Sequence, residues 1–395
     1  MMSNLHDLQD QCLKLYAAQF GDSSEVMCGY APGRVNLIGE HTDYNNGFVF
    51  PMALADLGTF VVGKSTSERT VKLITGAPVD CNVVKFVPKK TQVSEVPQWA
   101  RYVMGVVECF MDLTDTSISA NIAIQSNLPI GAGLSSSASL EVAVFTLLER
   151  LCGVTDILDT DKIRACQRAE HEYAHVPCGI MDQYIATLGN VDTALFINCQ
   201  TDECEDVSFG SDSVVLVVTD THVKHELAGG EFANRRASCE AVAKSMGVGS
   251  LAEVTLDQVN AHFTRLGADL SHLPEKAFPR ARHVVLEISR TVKAKECFLK
   301  GDLVMFGQLM NESHRSLSGD YEVSCKELDQ VVETAWRTEG VLGSRMTGGG
   351  FGGCAITLIK KEHTNAFLQR LKEKCPFSSS FITTPGVGAK AWANP

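Results

Sequence analysis

The sequence predicts an α+β fold of mixed sheets packed with helices, divided into two domains, and three observations carry that expectation. A chain of 395 residues, 45% apolar and 21% charged, has ordinary globular composition and is longer than a single hydrophobic core usually serves. Alternating apolar residues, the period of a strand, and apolar residues three and four apart, the period of a helix, are interspersed along its whole length. No repeat or low-complexity linker interrupts the pattern. A weak boundary falls near residues 200 to 213, where acidic and small residues cluster, so the domains are expected over residues 1–205 and 206–395.

In chain order, Gly58-Thr-Phe-Val-Val-Gly-Lys-Ser65 spells a nucleotide P-loop but reads as a strand leaving the core. Its variable positions are mostly bulky and β-favouring, and the residues after Ser65 begin no helix on which a phosphate could sit. Residues 118 to 124 read as a strand. After the segment Leu128-Pro-Ile-Gly-Ala-Gly-Leu-Ser-Ser-Ser137, residues Leu140, Val144, Leu147, Leu148 and Leu151 fall on one face of a helix that Gly153 can end. A second helix begins at Thr160 or Asp161 and stops before Pro177. A third, over residues 180 to 188, ends at Gly189 and puts Asp182 in its first turn, where the helix dipole favours an ionised carboxylate. Strands are expected at residues 194–197, 214–219 and 355–359, and helices at 282–299, 325–336 and 364–374.

A formal net charge of −12 argues against a surface for nucleic-acid phosphates, which takes clustered Lys and Arg. The apolar runs are too short to cross a bilayer, so no membrane partner is expected. Fourteen cysteines are scattered without a Cys-x-x-Cys pair, and the start, Met1-Met-Ser-Asn-Leu-His-Asp7, has no basic and apolar leader. Reduced thiols and a cytoplasmic location follow.

Chemistry concentrates in three stretches. Ala31-Pro-Gly-Arg-Val-Asn-Leu-Ile-Gly-Glu-His-Thr-Asp-Tyr-Asn-Asn-Gly47 packs Arg34, Glu40, His41 and Asp43 between glycines, donors and acceptors suited to the hydroxyls of a polar small molecule. A solvated turn is the alternative. Pro129-Ile-Gly-Ala-Gly-Leu-Ser-Ser-Ser137 couples a glycine-rich turn to a helix start, which aims backbone N–H groups at a phosphate, with hydroxyls one of which can reach magnesium; a serine cap after a glycine loop is the alternative. Thr347-Gly-Gly-Gly-Phe-Gly-Gly353 has dinucleotide-fingerprint spacing but is followed by a strand, so it reads as backbone approaching a ligand or another loop, or as a flexible hairpin. His171-Glu-Tyr-Ala-His175 fits a zinc-protease pattern, yet Pro177 cuts the helix short and no third ligand is evident, which favours surface or capping histidines.

These three stretches in this order, together with Cys178-Gly-Ile-Met-Asp182-Gln, resemble the GHMP small-molecule kinases; the first resembles the galactokinase signature, and the likeness, of the animal type, runs through nearly the whole chain. The resemblance implies a two-domain GHMP architecture with the active-site cleft between N- and C-terminal domains, and ATP-dependent phosphorylation of α-D-galactose at its C1 hydroxyl. It further implies that Arg34 and Asp182 flank that hydroxyl, with Asp182 as base. Glu40, His41, Asp43 and Gly179 would meet the sugar, Asp43 toward C3 and C4. Gly131, Gly133, Ser135, Ser136 and Ser137 would hold the phosphates and Ser137 with Glu170 the Mg2+ ion. Trp99 and Tyr102 would flank the adenine, with a buried aromatic pair as the alternative. The chain departs from the pattern at Phe232, where galactokinases usually place a tyrosine that touches the sugar. An N-acetylgalactosamine kinase and a catalytically silent galactose sensor are the competing readings. A monomer or weak homodimer is expected.

Overall fold

Two neighbouring strands with both faces covered form the centre of the first half. The structure, a computed structural model, describes residues 5–209, 213–224, 228–267, 269–271 and 273–394. Residues 1–4, where the reading of a missing leader begins, lie outside them. Helix α1 (Leu5–Phe20) precedes strand β1 (Met27–Asn36), and β2 (Phe48–Val49) precedes the long β3 (Pro51–Ser65). β4 (Val71–Thr75), β5 (Val83–Phe86), helix α2 (Gln98–Thr114) and β6 (Ala120–Ser126) follow, giving a sheet in which the order β1-β3-β6-β4-β5 runs side by side. Strand alternation explains the two covered faces. Cys28 and Tyr30 of β1, with Phe60 and Val62 of β3, pack against Leu8, Cys12 and Tyr16 of α1, whereas Ala31 and Val61 join the core on the other side. The P-loop look-alike at residues 58–65 is therefore strand, as its β-favouring residues require.

The opposite face receives α3 (Ser136–Cys152) so closely that a β-carbon on Gly29 would lie 2.7 Å from the Ala143 carbonyl oxygen. α3 ends at Gly153, whose φ of 65° is left-handed and whose N–H bonds the Glu149 carbonyl. Helix α4 (Asp159–Ala169) widens into a turn over residues 170–174 that His175 closes in a left-handed conformation. His175 thus caps a turn, and His171 bonds the Cys178 carbonyl oxygen at 2.8 Å through Nε2. Helix α5 (Met181–Leu188) leads into the hairpin β7 (Thr193–Asn198) and β8 (Glu203–Ser208), which pairs with β2.

In the second half, β9 (Val214–Asp220) is followed by α6 (Ala228–Met246), α7 (Leu256–Leu266), α8 (Ala277–Leu299), α9 (Leu303–Gly319) and α10 (Lys326–Trp336). Then come β10 (Val341–Thr347), β11 (Cys354–Lys360), α11 (Thr364–Lys374) and β12 (Ser379–Thr383), and the four strands form an antiparallel sheet of order β10-β11-β9-β12. The last strand, β13 (Lys390–Ala393), returns to pair with β1. The strands expected at 118–124, 194–197, 214–219 and 355–359 are β6, β7, β9 and β11. Helix α8 begins five residues before its expected start because Pro279 sits in the first turn, where no helical N–H is lost. Helices α1, α2, α6, α7 and α9 carry no expectation from the sequence.

One hydrophobic cluster belongs to both halves. Val35, Leu37, Ile38, Phe50 and Met52 from the first pack with Leu216, Val218, Phe306, Met310 and Ile356 from the second. The end of β1 and the loop after it are thereby pressed against the second half. The position between residues 205 and 206 falls within β8.

Candidate active site

Arg34 is the hinge of the site. Arg34 lies in β1 rather than in the solvated turn that is the alternative for its stretch, at a point where the pairing with β3 shifts register between Pro32 and Arg34. Its Nε and Nη2 donate to Asp182 Oδ1 and Oδ2 at 2.7 and 2.8 Å, a two-pronged ion pair, and Nη1 donates to the Gly133 carbonyl oxygen at 2.5 Å. Burial opposes the guanidinium charge, but the carboxylates of Asp182, Glu40 and Asp43 outweigh it and hold Arg34 protonated above its ordinary range. Asp182 sits in the first turn of α5, as its spacing predicts.

Around this pair, the residues of the first motif take different jobs. Asp43 opens a short helical turn over Asp43–Asn45 and accepts the Tyr44 N–H at 2.9 Å. Burial first, and then the negative charge of Asp182, push its carboxyl up to about 6. A side chain at residue 179 would run into that carboxylate, which is why a glycine stands there. His41, at a left-handed φ of 63°, is neutral: burial and then His283 press it down to about 3. Its Nδ1 pairs with the Tyr44 hydroxyl at 2.9 Å, whereas its buried Nε2 has no partner. The ring lies 4.8 Å from Tyr321 and 5.6 Å from Phe232, with Tyr44 5.2 Å from Phe232, so Phe232 of α6 helps wall an aromatic box around His41.

Glu40 differs from its neighbours. Only 2% exposed, it accepts from Asn36 Nδ2 at 2.9 Å, Thr347 Oγ1 at 3.2 Å, the Gly348 N–H at 2.7 Å and Arg345 Nη1 at 3.4 Å. Its carboxylate is turned to the protein and ties the loop after β1 to β10.

The second motif forms an open turn. Gly131 and Gly133 have φ of 75° and 73°, and Ser135, at 66°, is left-handed without being glycine. Ser135 precedes α3 yet caps nothing, and its buried hydroxyl has no partner. Ser136 and Ser137 line a cavity of about 740 Å3 with Pro78, Trp99, Tyr102 and Leu140, so the two aromatic residues and the turn share one space. At its inner end Glu170 meets Ser137, and Gln183 Nε2 donates to both Glu141 and Glu170 at 3.0 Å. Burial and then the charge of Glu170 push the Glu141 carboxyl well up, and burial and then the charge of Asp182 push that of Glu170 up to about 7. On the far side of Gly131 the aliphatic stem of Lys224 comes within 3.9 Å of where a β-carbon would stand. The third motif is the β10–β11 loop, whose glycines lie against the second: a β-carbon on Gly348 would be 2.6 Å from the Gly133 carbonyl oxygen.

Arg34, Asp43, Gly179, Asp182, His41 and Phe232 thus gather on one side of the glycine-rich turn, and Ser135, Ser136, Ser137, Trp99 and Tyr102 on the other. Sequence reasoning missed Asn36, Glu141, Gln183, Lys224 and Arg345. Gln183 and Glu141 had a signal, since one follows Asp182 and the other stands one helical turn after Ser137.

The chain matches the family descriptions "Galactokinase galactose-binding signature" over residues 14–64, "GHMP kinases N terminal domain" over 101–190 and "GHMP kinases C terminal" over 294–376. It is 42% identical to the galactokinases of Canis lupus familiaris and of Homo sapiens, covering 97% of this chain and 96% of each of them. The structure of Lactococcus lactis galactokinase complexed with galactose superposes with a TM-score of 0.88 at 33% identity, covering 98% of this chain and 99% of that one. The Methanococcus jannaschii mevalonate kinase, 19% identical with a TM-score of 0.65, shares the fold.

Proposed function

The chain belongs to the galactokinases of the GHMP kinase family, and on that footing we propose that it transfers the γ-phosphoryl group of ATP to the C1 hydroxyl of α-D-galactose, giving galactose 1-phosphate and ADP. The observation that carries this reading is the three-way grip of Arg34, two nitrogens on Asp182 and the third on the Gly133 carbonyl of the phosphate turn. One guanidinium thereby ties the base to the loop that receives the nucleotide.

The sugar lies between Asp182, Asp43 and the Nε2 atom of His41, with Phe232 and Tyr44 walling it in. The triphosphate lies on the N–H groups of residues 131 to 137 at the mouth of α3, where the helix dipole favours negative charge, and the adenine between Trp99 and Tyr102. As the C1 oxygen closes on the γ-phosphorus and the bond to the ADP oxygen opens, Asp182 accepts the hydroxyl proton. A sugar hydroxyl is far too weak an acid to give its proton to a carboxylate beforehand. In a loose transition state it does not need to, because the proton becomes acidic as the P–O bond forms. Arg34 holds the Asp182 carboxylate in place through two hydrogen bonds and offsets charge on the phosphoryl oxygens.

Asp43 supports selectivity for the C4 hydroxyl, since an epimer would leave a half-buried carboxylate unpaired. Ser137 and Glu170 supply a hydroxyl and a carboxylate, the hard oxygen donors Mg2+ takes, at the edge of the phosphate site. When bound there, Mg2+ would neutralise charge between the β- and γ-phosphates. Residues 1–205 carry the base and the phosphate turn and residues 206–395 the third motif and Phe232, with the cleft between them. The free thiols of all fourteen cysteines suit a cytoplasmic protein. Among the described residues no helix is long and apolar enough to cross a membrane.

The test is a coupled ADP-release assay with ATP and magnesium across galactose, N-acetylgalactosamine, glucose and mevalonate, run on the parent and on Asp182→Asn. Galactose is expected to be turned over best, and Asp182→Asn to lose about 10²- to 10⁴-fold in kcat. Full activity in that variant removes Asp182 as base; preference for N-acetylgalactosamine replaces the sugar.

A further inference from the structure

The sugar loop and the β10–β11 loop come from opposite halves of the chain, and a buried row of charges joins them. Glu287, on α8, has no exposed surface. Its Oε1 accepts the Gly39 N–H at 3.1 Å and the Ser313 hydroxyl at 2.5 Å, and its Oε2 accepts Arg290 Nε–H at 2.8 Å. Arg345 of β10, equally unexposed, lies 3.9 Å from Glu287 and donates from Nη1 to the Asn36 carbonyl oxygen at 2.9 Å and to Glu40. Glu40 in turn accepts the Gly348 N–H. The row therefore begins at Gly39, one residue before the sugar motif's acids, and ends at Gly348, which lies on the phosphate turn.

Glu287 and Glu40 balance Arg290 and Arg345, so removing one charge leaves a buried partner uncompensated. The need is acute at Arg345, whose buried Nη2 makes no hydrogen bond and has only the Coulomb attraction of Glu287 beside it. A buried ion row of this kind does not by itself make a fold more stable than apolar packing would. A buried charge with defined hydrogen-bond partners can instead restrict how the segments that carry it sit against one another.

We infer that Glu287 is a positioning residue for the phosphoryl transfer: it holds the sugar loop at Gly39 and, through Arg345 and Glu40, the β10–β11 loop at Gly348 in one relation. This rests on the reading that residues 41 to 43 meet the sugar. Glu287 touches neither substrate. It acts through His41 and Asp43, which hang from the loop it anchors.

Glu287→Gln tests it, since the amide keeps the shape and an acceptor for Gly39 but removes the charge facing Arg345. The expected result is a galactose KM raised about tenfold, with the ATP KM raised as well because Gly348 lies against the phosphate turn. KM does not depend on how much of the enzyme is folded, so a merely structural role moves neither constant; unchanged constants overturn the proposal. If Glu287→Gln does not fold, Ser313→Ala, which removes the hydroxyl between Glu287 and Arg345 but no charge, should raise the galactose KM about threefold, and no change there overturns it equally. Asp43→Ala, measured alongside, separates the two readings. If it leaves the galactose KM untouched, the sugar loop is misread; if it raises it while Glu287→Gln does not, only the role of Glu287 falls.

Discussion

The two glycine-rich loops use the same residue for opposite ends. In the turn over residues 129–135, a β-carbon on Gly131 would find nothing nearer than the stem of Lys224 at 3.9 Å, so glycine there serves the φ of 75° and leaves the backbone open to a ligand. In the β10–β11 loop the space is already full. A β-carbon on Gly348 or Gly353 would lie 2.6 Å from the carbonyl oxygens of Gly133 and Ala132, and one on Gly350 would collide with that of Val323. The second loop is the wall against which the first is held. Its exception is Gly349, where the nearest atom to a β-carbon would be a ring carbon of Phe232 at 3.8 Å, so the wall faces the sugar side at that one point.

Substitutions can break or sharpen this contrast. The largest effect is expected at Gly350→Ala, which adds a clash to a φ of 84°. It should cost about 3 kcal/mol or more of stability, read by denaturant unfolding, and parent-like stability would abolish the distinction between the loops. Gly131→Ala meets no atom, so its cost is the left-handed backbone alone, about 1 kcal/mol. It should raise the ATP KM about tenfold while the galactose KM stays put.

Gly179 belongs with the crowded glycines, but what crowds it is the carboxylate of Asp43. Because that carboxyl is raised to about 6 from an ordinary value near 3.9, the sugar-free fold loses stability from this group as pH climbs from about 4 to 6, the range in which the unfolded chain has already given up the proton. A bound sugar hydroxyl favours the ionised form. The galactose KM should therefore rise as pH falls below about 6, and Asp43→Asn should flatten that limb; a flat profile in the parent would contradict it. The smallest effect is expected from Phe232→Tyr, which gives the sugar side of the wall a hydroxyl. A neutral hydrogen bond contributes about 0.5 to 1.5 kcal/mol, so the galactose KM should fall a few-fold, and an unchanged or higher value refutes the contact.

Much of this was legible because it is local. The helix after Ser135 shows its apolar face and its terminal glycine in consecutive residues, and β9 and β11 are short apolar runs with no helical alternative. Helix α6 was not foreseen, since it carries no single apolar face and owes its stability to what it packs on, whereas α7 had a signal that went unread, the capping box of Thr255 and Gln258 before an amphipathic run. The sequence shows the polar groups from Arg34 to Asp43 set between glycines but not that Arg34 itself lies in a strand. In the fold the register of β1 against β3 shifts between Pro32 and Arg34, and Arg34 reaches Asp182 from there.

By itself the sequence determined which residue types stand near one another along the chain: the glycine turn before α3, the acid in the first turn of α5, the cluster of polar groups from Arg34 to Asp43. Each is set by backbone dihedral limits and side-chain periods that act over a few residues. Only the tertiary structure decided which of two neighbouring acids is tied to the opposite half of the chain and which is not. Glu40 is taken up by Arg345, Thr347 and Gly348, more than three hundred residues away, and Asp43 is not. Such partners are chosen by the shared core that presses the two halves together, and Coulomb and hydrogen-bond energies depend on distance in space, which spacing in sequence does not encode.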